Sequence, residues 1–213
     1  MIAGGNGDGK AVTEERLAWL LVVLWLVGAT LAMRVGVWMG IGSTALVLGA
    51  VGLGVSGTVR RQLRPSLRLC GIGAAAGLVM IAATYILFPL VVRLYPGLQA
   101  QTESLYQSLG TPTPGKLAII VFIILGEELV WRGAVQTALS RRFGAIPTVL
   151  LAAALYGAGH VPVGMPLLAV VALCCGLYWS AIRALTGSLV AVLITHILWD
   201  LTVMAWAPLV PRP

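Results

Sequence analysis

Long apolar runs alternate with short polar connections along nearly the whole chain. The runs cover approximately residues 17–33, 36–55, 69–92, 117–138, 145–161, 164–182 and 187–207. Each is long enough, at about 1.5 Å per helical residue, to cross most or all of a bilayer core of about 30 Å. Lipid offers no partner to a free backbone amide, and none of these runs alternates with a period of two, so the expected element is the helix. The pattern predicts an all-α, polytopic transmembrane helical bundle of about seven spans. It would comprise a polar N-terminal tail at 1–16, a single helical domain at 17–208 and a short C-terminal tail at 209–213. The first run follows a polar start and has no small-residue cleavage site before the second run, so it is expected to be a retained helix.

Composition agrees with this solvent. The mean hydropathy is +0.98, with 59% hydrophobic and 10% charged residues, which lies outside the range of soluble domains. Cys70, Cys174 and Cys175 all fall in apolar runs, where an adjacent pair has neither disulfide geometry nor a metal-ligand spacing; they are expected to be small packing residues. Glycine-rich stretches such as GIGSTALVLGAVGLGVSG suit close helix crossings.

The net charge of +7 distributes unevenly. Lys10, Arg16, Arg60, Arg61, Arg64, Arg68, Arg141, Arg142 and Arg183 fall on one side, against Arg34, Arg93, Lys116 and Arg212 on the other. Basic connections favour the cytoplasm, so the N-terminus is expected inside and the C-terminus outside a cell membrane, of a bacterial inner-membrane kind. Arginines beside membrane helices set topology and meet anionic headgroups, and no nucleic-acid partner is implied.

The longest connection, RLYPGLQAQTESLYQSLGTPTPGK, lies between the third and fourth runs. Its default reading is an ordinary surface loop. The alternative is a short interfacial helix, with Tyr95, Leu98, Leu105, Tyr106 and Leu109 along one side, capping an external opening.

The fourth run breaks the apolar pattern with GEELVWR, which places two of only seven acidic residues in hydrocarbon. An ionised group there costs several kcal/mol unless it is paired or faces a polar cavity, and such groups usually mark function. On a helix Glu128 and Arg132, four apart, meet on one face. Glu127 points about 100° away and needs a partner elsewhere. The chain has two histidines: His160 closes LYGAGH in the fifth run, and His196 lies within THILWD in the seventh. Tyr156 with His160, and His196 with Asp200, each repeat the spacing of four, so each pair presents two polar groups on one face. Depths are compatible: Glu127 lies about 15 Å from the outer start of its run and His196 about 14 Å from the inner start of its own, with His160 nearer the outer end.

These three segments, EELVWRGAVQTALSRRFG, LYGAGH and TGSLVAVLITHILWD, resemble the signature regions of the CPBP family, the CAAX-protease and bacteriocin-processing proteins also called the ABI family. Its intramembrane glutamic endopeptidases include the Ras-converting enzymes. The family motifs Glu-Glu-x-x-x-Arg, Phe-x-x-x-His and His-x-x-x-Asn or Asp are met by Glu127, Glu128 and Arg132, by Tyr156 and His160, and by His196 and Asp200, in a CPBP-like core over about 117–205. Two positions depart from the commonest pattern: Tyr156 adds a hydroxyl to the usual phenylalanine, and Asp200 takes the place of the frequent asparagine. An ionised Asp200 cannot donate to an oxyanion, so its expected part is to orient His196 or to act as a protonated acid.

What the resemblance implies is peptide hydrolysis of a membrane-anchored protein or peptide substrate in the lipid bilayer. Glu127 would be the general base, His160 would hold the same water, and His196 with Asp200 would stabilise the oxyanion, with Glu128, Arg132 and Tyr156 in support. A carboxylate in a low-dielectric cavity is a competent proton acceptor, and fixed imidazole donors need no reorganisation to meet new negative charge. No cofactor is required. A zinc site built from His160, His196 and Glu127 is the mechanistic alternative, although no His-Glu-x-x-His helix is present. A non-catalytic membrane scaffold or immunity protein, or a proton-coupled transporter, would use the same polar cluster differently.

Overall fold

The computed structural model describes residues 5–211, leaving the first four residues of the polar tail, and Arg212 and Pro213 of the C-terminal tail, outside the described residues. Every regular element among them is helical. In chain order these are α1 (Gly5–Val35), α2 (Val37–Val55), α3 (Gly57–Gln62), α4 (Leu67–Leu94), α5 (Gly97–Leu109), α6 (Pro114–Glu128), α7 (Gln136–Ser140), α8 (Ala145–His160), α9 (Pro166–Thr186) and α10 (Leu189–Asp200). A π-helical segment, Leu129–Val135, joins α6 to α7, and a second, Leu201–Trp206, continues α10.

Among the described residues six helices are long and apolar enough to cross a membrane by themselves: Val12–Val35, Trp38–Val55, Leu67–Leu94, Ala145–Val163, Pro166–Thr186 and Leu189–Trp206. The fourth expected span is one helical path from Pro114 to Ser140, but α6 stops at Glu128 and the path carries Glu127, Glu128 and Arg132. All seven expected runs therefore fall on helical paths. The polar segment before the first is also largely helical, because α1 starts at Gly5. Near its beginning Glu14 pairs with Arg141, and Glu15 with Arg142, which ties the first helix to the connection between α7 and α8.

Lipid-facing and buried surfaces are easily told apart. Leu20, Val23, Val27 and Leu31 repeat on the outer face of α1, and each is more than half exposed. Leu21, Trp25 and Ala29 on the opposite face are buried. Without water to expel, helices in lipid associate through close packing, which favours small residues at crossings. At the α2–α6 crossing a Cβ on Gly126 would lie 2.2 Å from the Ala45 carbonyl oxygen, and one on Gly49 would lie 2.7 Å from the Gly126 Cα. Backbone touches backbone there, and this fixes the rotation of the helix that ends in Glu127 and Glu128. Where α4 crosses α10, Gly73 does the same against Ala191, and Thr195 Oγ1 donates to the Gly73 carbonyl at 2.9 Å.

The turn into α10 is dictated locally. Gly187, with φ 67°, ends α9 in the left-handed region where a side chain would be strained. Ser188 then caps α10 by accepting from the amides of Val190 and Ala191. This Thr-Gly-Ser-Leu turn sends His196 back into the bundle.

The long connection is not a surface loop. It forms α5, with Thr102, Leu105 and Tyr106 buried. The Tyr106 hydroxyl donates to the Val203 carbonyl at 2.9 Å and accepts from the Leu209 amide at 3.1 Å, pinning α5 to the end of the last span. Tyr106 supplies both an apolar ring for the buried face and a polar tip for the backbone of the last span. The short-helix alternative is the one the structure contains, although Tyr95 stands outside it, exposed at the end of α4.

Candidate functional site

The end of α6 with the segment that follows it, the end of α8 and the second half of α10 bring the sequence-identified side chains together. Glu127 Oε1 stands 3.4 Å from His160 Nε2, and the Tyr156 hydroxyl donates to Glu127 Oε2 at 2.7 Å. Glu127 thus finds its partners on another helix, as its phase requires. His160 closes α8, which has only 16 residues and is about 24 Å long. His160 therefore stands beside Glu127 although it lies at the end of its helix.

Glu128 is fully buried and accepts twice at Oε1: from Arg132 Nη1 at 3.1 Å and from His196 Nδ1 at 2.8 Å. The first bond is the expected helical pair. The second crosses between helices and joins residues 68 positions apart. His196 Nε2 faces Asp200 Oδ1 at 3.5 Å, so the imidazole lies between two carboxyl groups. A neutral imidazole offers one donor and one acceptor. The arrangement is therefore satisfied either by an imidazolium or by a proton on Asp200 that points at Nε2.

Aromatic rings pack this chemistry in place. Trp179 of α9 stacks on His196 with ring centroids 3.5 Å apart and planes 24° from parallel. The Arg132 guanidinium lies over the Tyr156 ring at 4.1 Å and near Trp179 at 5.3 Å, and such contacts help to hold a cation out of water. Edge-on contacts continue from Tyr156 to Trp131 and on to Trp25. No motif announces Trp25, Trp179 or Trp199. Trp179 lies on α9, a helix with none of the predicted site residues, and its one signal is a tryptophan beside a serine in an apolar run.

Glu127, Tyr156, His160, His196 and Asp200 all line one cavity of about 140 Å³. The rest of its wall is mostly apolar and includes Trp25, Trp38, Ile123, Val171, Trp179 and Trp199, with Leu105 and Leu109 of α5 over the outer part. Glu128 and Arg132 lie behind the wall. Among the described residues no group of three or more His, Cys, Asp or Glu side chains is arranged to hold a metal ion. The two nitrogens of His196 are directed at Glu128 and Asp200 rather than at a point shared with His160 and Glu127.

No curated protein and no solved structure matches the chain. Residues 110–202 match the family model of the Rce1-like type II CAAX prenyl endopeptidases, over the stretch that contains Glu127, Glu128, Arg132, Tyr156, His160, His196 and Asp200. Through this region the multi-pass membrane protein is similar to the Rce1-like type II CAAX prenyl endopeptidases, in keeping with the family that its three motifs resemble.

Proposed function

We propose that the protein is an intramembrane endopeptidase that hydrolyses a peptide bond in a membrane-anchored protein or peptide with a water activated by Glu127 and His160. The observation that carries this reading is a carboxylate and an imidazole 3.4 Å apart on the wall of a cavity that is also lined by His196 and Asp200. A water held in the cavity by Glu127 and His160 together would lose a proton to Glu127 as its oxygen attacks the scissile carbonyl carbon. The carbonyl oxygen takes up the negative charge and meets donors from the His196 and Asp200 side. Collapse of the tetrahedral intermediate breaks the C–N bond, and the proton held by Glu127 passes to the leaving nitrogen. Fixed donors at the developing charge are among the largest contributions an enzyme makes. Glu128 and Arg132 hold His196 in position from behind.

No metal or cofactor enters these steps, because Glu127 supplies the base and His196 the electrophilic help. The apolar cavity suits a substrate segment that arrives from lipid. With the arginine-rich connections inside a bacterial inner membrane, the N-terminus is cytoplasmic. The cavity, roofed by α5 and lined by Trp38 and Val163, then opens towards the opposite face. Comparative proteomics of membranes carrying the wild-type protein or Glu127→Gln tests the reading. Membrane-anchored precursors should accumulate uncut with the variant, and identical peptide termini in both membranes would count against it.

A further inference from the structure

A second polar route reaches the catalytic cluster from the side opposite the cavity. Glu128, Arg132 and Gln136 recur at intervals of four along the path from α6 to α7, and all are buried. Gln136 Nε2 donates to the Ser180 carbonyl of α9 at 2.8 Å. Beyond it, partly exposed Thr137 Oγ1 accepts from Gln62 Nε2 at 3.0 Å and from Arg183 Nη2 at 3.5 Å. Helix directions put this series between Glu128 and the face that carries Arg141 and Arg142, whereas the cavity lies on the other side of Glu128.

Along this series Glu128 Oε2, Arg132 Nε and Nη2, Gln136 Oε1, Ser180 Oγ, Arg183 Nε and Gln62 Oε1 are buried without a hydrogen-bond partner among the described residues. Buried polar atoms in folded proteins are nearly always satisfied, by ordered water where protein groups do not reach. The seven atoms include both donors and acceptors, the mixture that bridging waters need. In lipid the cost of leaving them dry is larger still.

We propose that a file of internal water molecules runs from the Glu128–Arg132 pair past Gln136 and Ser180 to the face bearing Arg141 and Arg142. The file completes the hydrogen bonding of the buried ion pair. It also connects the Glu128–His196 pair to bulk water when a substrate fills the cavity, so protons of the cluster exchange without passing the substrate. This second role rests on the protease reading; the file itself does not.

The test uses Ag⁺, a thiol reagent close to water in size, on Ser180→Cys in protein whose Cys70, Cys174 and Cys175 are replaced. Ala18→Cys, at an equally buried position in the apolar core of α1, is the control. Modification is read as thiol protected from later alkylation, in membrane vesicles of each orientation. The Ser180→Cys thiol should react at least 100-fold faster than the control, and from the face of Arg141 and Arg142. Gln136→Leu should slow that reaction at least tenfold. A rate within threefold of the control, or reaction from the cavity face alone, overturns the water file. Because this readout needs no turnover, it stands or falls apart from the protease reading. In active protein, Ser180→Val should lower kcat at least fivefold at unchanged KM, and an unchanged kcat removes the file from turnover.

Discussion

Replacing Arg132 by alanine should harm folding far more than replacing Glu127 by glutamine. Arg132 is 1% exposed and Glu128 is not exposed at all. They are joined at 3.1 Å, and the guanidinium also rests on Tyr156. Breaking a buried pair by removing one partner costs about 3–5 kcal/mol, since the remaining charge stays buried. His196 Nδ1 still donates to Glu128, which favours the lower end. The lost cation–π contact returns about 0.5–2 kcal/mol to the cost. The sum is about 4 kcal/mol for Arg132→Ala. Glu127→Gln keeps a group that can accept from Tyr156 and donate towards His160, so about 1 kcal/mol is expected, the size of one exchanged hydrogen bond. The difference of about 3 kcal/mol corresponds to a factor of roughly 100 in the folding equilibrium. Unfolding by denaturing detergent, followed by tryptophan fluorescence, resolves such a gap. The double variant Glu128→Gln with Arg132→Leu separates stranded charge from lost volume: it should recover at least about 2 kcal/mol over Arg132→Ala, because neither charge is left buried. Equal destabilisation by Arg132→Ala and Glu127→Gln, or no recovery in the double variant, would refute the pairing argument.

Three further outcomes follow from the geometry. Asp200→Asn should retain a substantial part of the turnover, because asparagine can still donate to an oxyanion and accept from His196, whereas Asp200→Leu should be inactive; the two are compared with one defined substrate in folded protein, and complete loss with Asp200→Asn would make Asp200 an essential base. Tyr156→Phe removes the 2.7 Å bond to Glu127 but keeps the ring under Arg132, so kcat should fall by less than about tenfold, in line with one hydrogen bond of about 1 kcal/mol; a loss as large as that of Glu127→Gln would place the hydroxyl in the reaction itself. Gly126→Val should give no folded protein in detergent extracts, because its Cβ would meet the Ala45 backbone at 2.2 Å, and a normal yield would show that the α2–α6 crossing is not tight.

The parts legible in the sequence are those set by local rules. Runs of apolar residues place all seven helical paths, since the bilayer fixes their length and backbone bonding fixes their form. The spacing of four puts Glu128 beside Arg132 and His196 beside Asp200, because that contact needs only a helix. The bond from Glu128 to His196 is of another kind. It depends on how far α6 and α10 are rotated, and that rotation is set by the glycine crossings at Gly126 and Gly73, with no periodicity to expose it. The stack of Trp179 on His196 has the same origin. Helix α5 lay open between loop and cap because its polar residues suit either. Burial of Tyr106, with its two hydrogen bonds to the last span, decides the matter, and these partners lie about a hundred positions away. The π-helical segment after Glu128 leaves no mark in composition; such segments commonly sit at functional sites, and this one begins at the residue after the two glutamates.

The central claim is that Glu127 is the base that activates water for peptide hydrolysis. It is tested most directly by turnover of a defined membrane-anchored peptide reporter by purified wild-type protein and Glu127→Gln, in the same bilayer and with unfolding midpoints measured on the same preparations. General-base catalysis is worth roughly 10²–10⁴ in rate. The wild-type protein should cut the reporter, and Glu127→Gln, folded to a similar extent, should be slower by at least about 10². A folded Glu127→Gln variant that cuts within threefold of the wild-type rate would contradict the account.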